Sequence, residues 1–298
     1  MFDKATLLYL YTETPLHAGS GTSLGIVDLP IQRERATGYP IVQASSLKGC
    51  LRDVASNGNP QQRQRVEVVF GPDTQRAADY AGAISVGDAR VLLFPVRSLL
   101  GIFAWVTSKD VLARFRRDAQ TAGISIGWRE TGPTTEREAL VASKDLVSNE
   151  HVVLEEFAFT AKEDPMVKAI AEWLAQNALP AGDEYTYWRQ TLPRHLVILP
   201  ENAFRDFTLF ATEVISRIRL DDATKTVARG ALWSEEHLPS DTLLYATLFA
   251  SKPRVSDTEF TDATSVLQFV KDVIDGKRLQ LGGDATVGRG FVKVRIGG

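Results

Sequence analysis

The sequence predicts an α+β fold, and three observations carry that prediction. An apolar, alternating run opens the chain, strand-like and helix-like stretches follow in β–α–β order, and a glycine-rich loop separates the last helix from a last strand. Residues 5–13 (ATLLYLYTE) join Thr, Tyr and Leu in near-alternation, the pattern of a strand. From Pro15 to about Tyr39 the chain is polar and contains glycine. Connections of that length are uncommon in compact domains and tend to carry function. Ser45 and Ser46 then offer an N-cap to a helix whose Leu47, Leu51 and Val54 share one face, while Lys48 and Arg52 share another.

Two or three strand-like runs fill residues 83–107 (AISVGDA, RVLLFPV, GIFAWVTS). Ser108 to Ala122 reads as an amphipathic helix with Val111, Leu112 and Phe115 inward and Gly123 closing it. Asp164 before Pro165 opens a second helix that runs to about Asn177. Residues 123–160 and 178–258 mix short strands, turns and polar segments, with strands near 213–220 and 242–250. A helix over 261–275 leads into LQLGGDATVGRG and a final strand, FVKVRI. Trp105, Phe115 and Trp173 fall at core positions of these elements. The order matches a modified ferredoxin-like, RRM-like core carrying long insertions. No internal repeat or linker composition divides the chain, so one domain is expected: a core of about 1–122 plus 259–298, with insertions over about 123–258.

At 298 residues, 44% hydrophobic and 24% charged, the composition is that of an ordered globular protein. The single cysteine, Cys50, excludes an intrachain disulfide and a four-cysteine zinc site. The run MFDKATLLYLYTETP lacks a basic leader and a small-residue cleavage site, and no stretch approaches the roughly 18 apolar residues that span a bilayer. A cytoplasmic protein with no membrane partner is expected. The net charge of −3 argues against a free-standing nucleic-acid binder, yet Arg33, Arg35, Lys48 and Arg52 form a local basic group.

The loop Gly282 to Gly290 resembles two phosphate-binding motifs and satisfies neither. A P-loop needs Lys and Ser/Thr after its second glycine, then a helix; here Arg289, Gly290 and a strand follow. A dinucleotide fingerprint sits between strand and helix, the reverse order. There remains a backbone-rich loop with an arginine that can pass close to a phosphodiester chain, or a plain helix-to-strand turn. No metal-ligand spacing is recognisable along the chain.

The segment HAGSGTSLGIVDLPIQRERATGYPIVQASSLKGCLRDV, the middle ALWSEEHLPSDTLLY and the terminal GGDATVGRG together resemble the RAMP superfamily of CRISPR proteins. The SLGIVDLPIQRE run is most similar to the backbone subunit of type III-B (Cmr) effector complexes. The resemblance implies a β-hairpin thumb, polymerisation along a CRISPR guide RNA, and cleavage of complementary target RNA at regular intervals with a loosely bound divalent ion, Mg2+ or Mn2+. It implies as partners the guide RNA, the target RNA, other Cmr complex subunits and further copies of the chain. Alternatives are a non-catalytic filament subunit, the type III-A counterpart, or a guide-precursor nuclease with histidine-centred chemistry.

By resemblance Asp28 matches the family's catalytic aspartate and is the one expected metal ligand; on its own it reads as a turn aspartate near Pro30. His17, in the same loop, either assists as acid or base or is a surface polar group. Glu235, Glu236 and His237 lie in a segment resembling a family loop near the cleavage position, although acidic pairs are ordinarily solvated, and the pattern does not choose between the two glutamates. Lys48 and Arg52, beside the Ser45–Ser46 helix start, are expected to hold guide phosphates; a solvated helix face is the alternative. Gly283, Gly288 and Arg289 would form a second contact, and Arg33 and Arg35 would position the loop or RNA. The aromatics form no base-stacking pattern, in keeping with a protein that follows the backbone.

Overall fold

A computed structural model describes residues 2–56, 62–256 and 258–297. The chain begins β1 (Lys4–Thr12), β2 (Ile41–Val42), α1 (Ala44–Ser56), α2 (Arg63–Phe70), β3 (Ile84–Val86), β4 (Ala89–Arg97), β5 (Phe103–Ser108) and α3 (Lys109–Thr121). It continues β6 (Glu138–Val141), β7 (Val147–Ser148), β8 (His151–Leu154), β9 (Phe157–Glu163), α4 (Pro165–Asn177), α5 (Thr186–His195), β10 (Leu196–Leu199) and α6 (Glu201–Phe210). It ends β11 (Glu213–Leu220), β12 (Val227–His237), β13 (Leu243–Ala250), α7 (Ala263–Ile274), β14 (Arg278–Gln280) and β15 (Phe291–Ile296).

β1 sits between β13 and β15, antiparallel to both, which explains why its residues from Thr6 to Thr12 are buried on both faces. Helices α1 and α7 pack on each other, and α7 lies against β1, β13 and β15, giving a ferredoxin-like nucleus that takes in β13, a strand the expected bounds placed in the insertion. The insertion does not form a separate layer. Its strands β6 to β10 extend the same sheet through β4 and β5, making one mixed sheet of 13 strands ordered β14-β15-β1-β13-β4-β5-β10-β6-β9-β8-β7, with β2 on β4 and β3 on β13. Most pairs are antiparallel; β5–β10 and β6–β9 are parallel. No helix among the described residues is long and apolar enough to cross a membrane.

Local signals and structure agree where a cap marks the end. Ser108 accepts from the Val111 N–H and begins α3, and Gly123 follows its end at φ +73°. Asp164 accepts from the Met166 N–H at 2.8 Å and begins α4, with Pro165 at its first position. Trp105 and Phe115 are fully buried, Trp173 packs edge-on against Phe115 at 5.7 Å, and the Trp105 indole donates to the Asp241 carbonyl. The cap expected for α1 is displaced. The helix starts at Ala44, whose N–H donates to Asp88 Oδ1 at 2.8 Å, so Ser45 and Ser46 lie exposed within the first turn.

Helices α2, α5 and α6 are absent from the sequence expectation. α5 carries Pro193 and buries only Thr191 and Leu192, which leaves little periodicity to read. The thumb expected from the resemblance is the β11–β12 ribbon, a separate two-stranded sheet with Val214, Ile218, Leu220 and Leu232 exposed along it.

Candidate functional site

The long loop between β1 and β2 is bound to the free edge of β12. Leu29 donates to the Ser234 carbonyl and accepts from the Glu236 N–H, and Leu16 exchanges both backbone bonds with Leu238. Even-numbered residues of β12 thus turn their backbone toward the loop, while the side chains of successive residues alternate between the two ribbon faces. Ser234 and Glu236 project to one face, Trp233, Glu235 and His237 to the other. The sequence candidates are divided accordingly.

Asp28 belongs to the Ser234 face. Its carboxylate Oδ2 accepts from the Ser234 N–H and hydroxyl, both at 2.8 Å, and its own N–H donates to the Ser234 hydroxyl at 3.0 Å. These bonds, that from the Ser234 N–H first, hold the exposed carboxyl below the usual carboxylate range. Leu24 and Ile26, fully exposed, flank it at the loop tip.

Glu236, on the same face, is buried and structural in its contacts. Oε1 pairs with Arg33 and accepts from Thr212 Oγ1 at 2.8 Å; Oε2 accepts from the Ile31 N–H at 3.0 Å. Arg33 also donates to the carbonyls of Gly38 (2.9 Å) and Thr208 (2.8 Å). Its guanidinium is committed inside the protein, which fits the loop-positioning alternative of the expectation, whereas Arg35 is exposed.

The opposite face gathers Glu235, His237 and His17. The two glutamates are buried rather than solvated as acidic pairs ordinarily are, because each meets an arginine from elsewhere in the chain. Glu235 Oε2 accepts from Arg217 Nε at 2.8 Å, and Oε1 from the Trp233 indole at 2.7 Å. Arg217 also donates to Asp284 Oδ2 at 3.0 Å. The His17 ring lies 5.3 Å from that of His237, with its Nδ1 2.7 Å from the Glu236 carbonyl. Burial, followed by the nearby His17 and Arg289, holds the His237 pKa below its ordinary value. Glu235, His237 and Asp284 also satisfy the geometry of a three-ligand cation site, which linear spacing did not disclose. Asp284 and Arg217 were missed. Asp284 stood inside the loop read only for its glycines, and the i, i+2 spacing of Glu235 and His237 on a strand was the available signal.

The terminal loop is held by backbone contact. The Gly283 N–H donates to the His17 carbonyl at 2.9 Å, and Gln280 Nε2 reaches the carbonyls of Gly282, Gly283 and Arg289. At Gly290, φ is +74° and a Cβ would stand 2.0 Å from the Leu281 carbonyl oxygen; Gly288, at φ +78°, faces open space. Gly290→Ala is therefore expected to cost on the order of 1–3 kcal/mol, and Gly288→Ala only the left-handed penalty of about 1 kcal/mol. Thermal melts of the two variants check that order.

Helix α1 runs beside this loop, joined to it by the Cys50 thiol and the Gln280 carbonyl at 3.1 Å. Lys48 is half-buried, with Nζ donating to the Ile84 carbonyl at 3.2 Å; burial, then Arg52 and Arg254, lowers its pKa. Arg52 donates to the Pro72 carbonyl at 3.0 Å. The fold thus adds Arg254 to the expected cations, near Lys48. The Asp88 cap at the start of α1 opposes the expected phosphate contact at Ser45 and Ser46, since a carboxylate already takes an N–H there.

A profile of the RAMP superfamily matches residues 9–293. A Pyrococcus furiosus protein named CRISPR system Cmr endoribonuclease Cmr4 is 42% identical over 294 residues, 98% of this chain and 96% of that protein. The structure is similar to that of oligomeric Cmr4 from Pyrococcus furiosus, with a TM-score of 0.74 at 35% identity over 99% of this chain and 98% of that one. A chain of the type III-B Cmr-beta complex bound to cognate target RNA has the same fold, with a TM-score of 0.74 at 22% identity over 99% of this chain and 98% of that one. These matches run along the whole chain, which belongs to the RAMP superfamily and stands within it among the Cmr4 proteins.

Proposed function

We propose that the chain is a repeated backbone subunit of a type III-B CRISPR ribonucleoprotein. It follows a guide RNA through its phosphates, stacks on further copies of itself beside other Cmr subunits, and cuts the paired target RNA next to Asp28. The state of Asp28 carries this reading: an exposed carboxylate, kept ionised by Ser234 through Oδ2, whose other oxygen makes no hydrogen bond among the described residues. That oxygen can orient and deprotonate a ribose 2′-hydroxyl. The 2′-oxygen then bonds to the adjacent phosphorus as the bond to the 5′-oxygen breaks, leaving a cyclic phosphate and a 5′-oxygen that takes its proton from solvent water to become a hydroxyl. Charge neutralisation at the phosphate is what a divalent ion, Mg2+ or Mn2+, supplies when bound. A single carboxylate oxygen makes no cage for a resident ion, so one beside Asp28 would be held chiefly by RNA oxygens.

Lys48, Arg52, Arg254 and Arg289 line the route for the guide. Each donor already bound to a carbonyl keeps further protons for phosphate. Arg52→Gln is expected to weaken guide binding for every sequence and to flatten the salt dependence by about 0.7 in log–log slope for one lost contact. An unchanged slope would remove Arg52 from the path. The reading as a whole is tested by reconstitution with guide RNA and a labelled complementary target. Cuts at regular spacing support it; an uncut target, or cutting confined to the guide precursor, overturns it.

A further inference from the structure

A cavity of about 700 Å³ opens in the insertion between the β8–β9 turn and α6, and its lining is both aromatic and acidic. Phe207, 5% exposed, forms its base, with the Phe157 ring edge-on to it at 5.9 Å and an interplanar angle of 82°. Phe157 is 54% exposed and Phe210 82%, so two further rings stand in water beside it. Scattered apolar residues on a surface are ordinary, but aromatic ones gathered around a concavity mark a binding site.

The charge around these rings has one sign. Glu136, Glu155, Glu156 and Asp206 border them, and no Lys, Arg or His lines the cavity among the described residues. Glu155 pairs with Arg97 at 2.7 Å and Asp206 with Arg205 at 2.8 Å, both cations standing outside the lining. Glu136 meets only the Asn202 amide, at 3.4 Å, and the exposed Glu156 has no hydrogen-bonding or ionic partner among the described residues. Two carboxylates are thus left to a cation from outside the chain. The four acids come from three segments, one before β6, one at the β8–β9 turn and one on α6, so the charge surrounds the rings instead of converging on a point. A hydrated Mg2+ would use the carboxylates and leave the rings idle, and an apolar ligand would do the reverse. A cation with methylenes between its charges uses both, setting its ammonium groups over ring faces and beside carboxylates and its methylenes on the phenyl rings.

We propose that this cavity binds a linear polyamine, an aliphatic chain carrying two or more ammonium groups. Small-molecule sites enclose roughly 300–1,000 Å³, a range that takes in this one. The lining includes neither Asp28 nor any cation assigned to the guide path, so the site stands apart from the cleavage reading.

The test titrates spermidine into the purified full-length chain, free of RNA, by calorimetry at an ionic strength of about 0.15 M, with thermal unfolding in parallel. One saturable spermidine per chain and a raised Tm are expected, with Mg2+ at equal charge failing to displace it. Phe210→Leu keeps an apolar side chain but loses the ring face, and Glu156→Gln removes an exposed charge. Each should weaken binding roughly two- to fivefold, and the two together about tenfold. Both positions are exposed, so both variants should fold, which their Tm without spermidine checks. Glu172→Gln, which removes an exposed carboxylate on α4 outside the cavity, should leave binding unchanged. No saturable binding, displacement by Mg2+, or an equal loss in Glu172→Gln would overturn the site. Tighter binding of a trilysine peptide than of spermidine would overturn it too, assigning the cavity to a protein partner. Loss of self-association in Glu156→Gln would do the same in favour of a second copy of the chain. Regular target cutting alongside any of these results would leave the proposed function standing.

Discussion

Changing Asp28 to Asn is expected to slow target cutting by roughly 10²–10⁴-fold, the range for loss of a positioned acid or base, while guide binding and self-association keep their strength. The fold does not depend on this charge. The loop is held on β12 by the Leu29 and Leu16 backbone bonds and by the Ile31 N–H on Glu236, and the Asp28 side chain is exposed. Asn preserves the shape and still accepts from Ser234, so what disappears is the ability to take a proton. The pH profile supplies a second readout. Ser234 bonds favour the ionised form and lower the carboxyl pKa from its ordinary value. A group with a lowered pKa stays charged as the pH falls, so cutting that needs the carboxylate persists through weakly acidic conditions and is lost only below the ordinary carboxylate range. Single-turnover cleavage by the assembled complex, with assembly checked by size-exclusion chromatography, measures both. Wild-type cutting by Asp28→Asn removes this carboxylate from the chemistry.

Much of the fold was legible because local and global demands coincide. The alternating pattern of β1 and the capped hydrophobic patterns of α3, α4 and α7 each place an element within about two residues of its expected span. β12 shows where such reading stops. VARGALWSEEH contains a glycine and four charged or titratable residues, poor strand material, and it is a strand because β11 pairs along one edge and the loop segments along the other. The site divides in the same way. Asp28, His17 and the Glu235–His237 run were identifiable through the family pattern. Whether each lies buried or exposed, and on which ribbon face, was not, since that depends on Arg33, Arg217 and Asp284 arriving from distant segments. Arg33 illustrates the point: a basic residue in a polar loop reads equally as a loop-positioning group or an RNA contact until its buried partner is seen.

Glu236→Ala is expected to destabilise the protein by about 3–5 kcal/mol, the cost of leaving one half of a buried ion pair. The side chain is only 6% exposed, and its two oxygens serve Arg33, Thr212 and the buried Ile31 N–H. Alanine would leave the Arg33 guanidinium without a counter-charge, strand the Ile31 N–H and open a cavity where the loop meets the thumb. At roughly 2–4 °C per kcal/mol for a chain of this size, Tm should fall by about 10 °C. Glu236→Gln retains the acceptor oxygen and should lose less, about 1.5–3 kcal/mol, the worth of hydrogen bonds to a charged group. The double variant Arg33→Met with Glu236→Met decides what the pair does. A structural pair predicts that the double loss is clearly smaller than the sum of the single losses, because neither charge is then abandoned. If Glu236 acted in catalysis instead, Glu236→Gln would stop cutting at an unchanged Tm. Since Ile31 follows Asp28 closely along a loop that Glu236 anchors, weaker cutting in proportion to lost stability would still mark Glu236 as a positioning residue for Asp28.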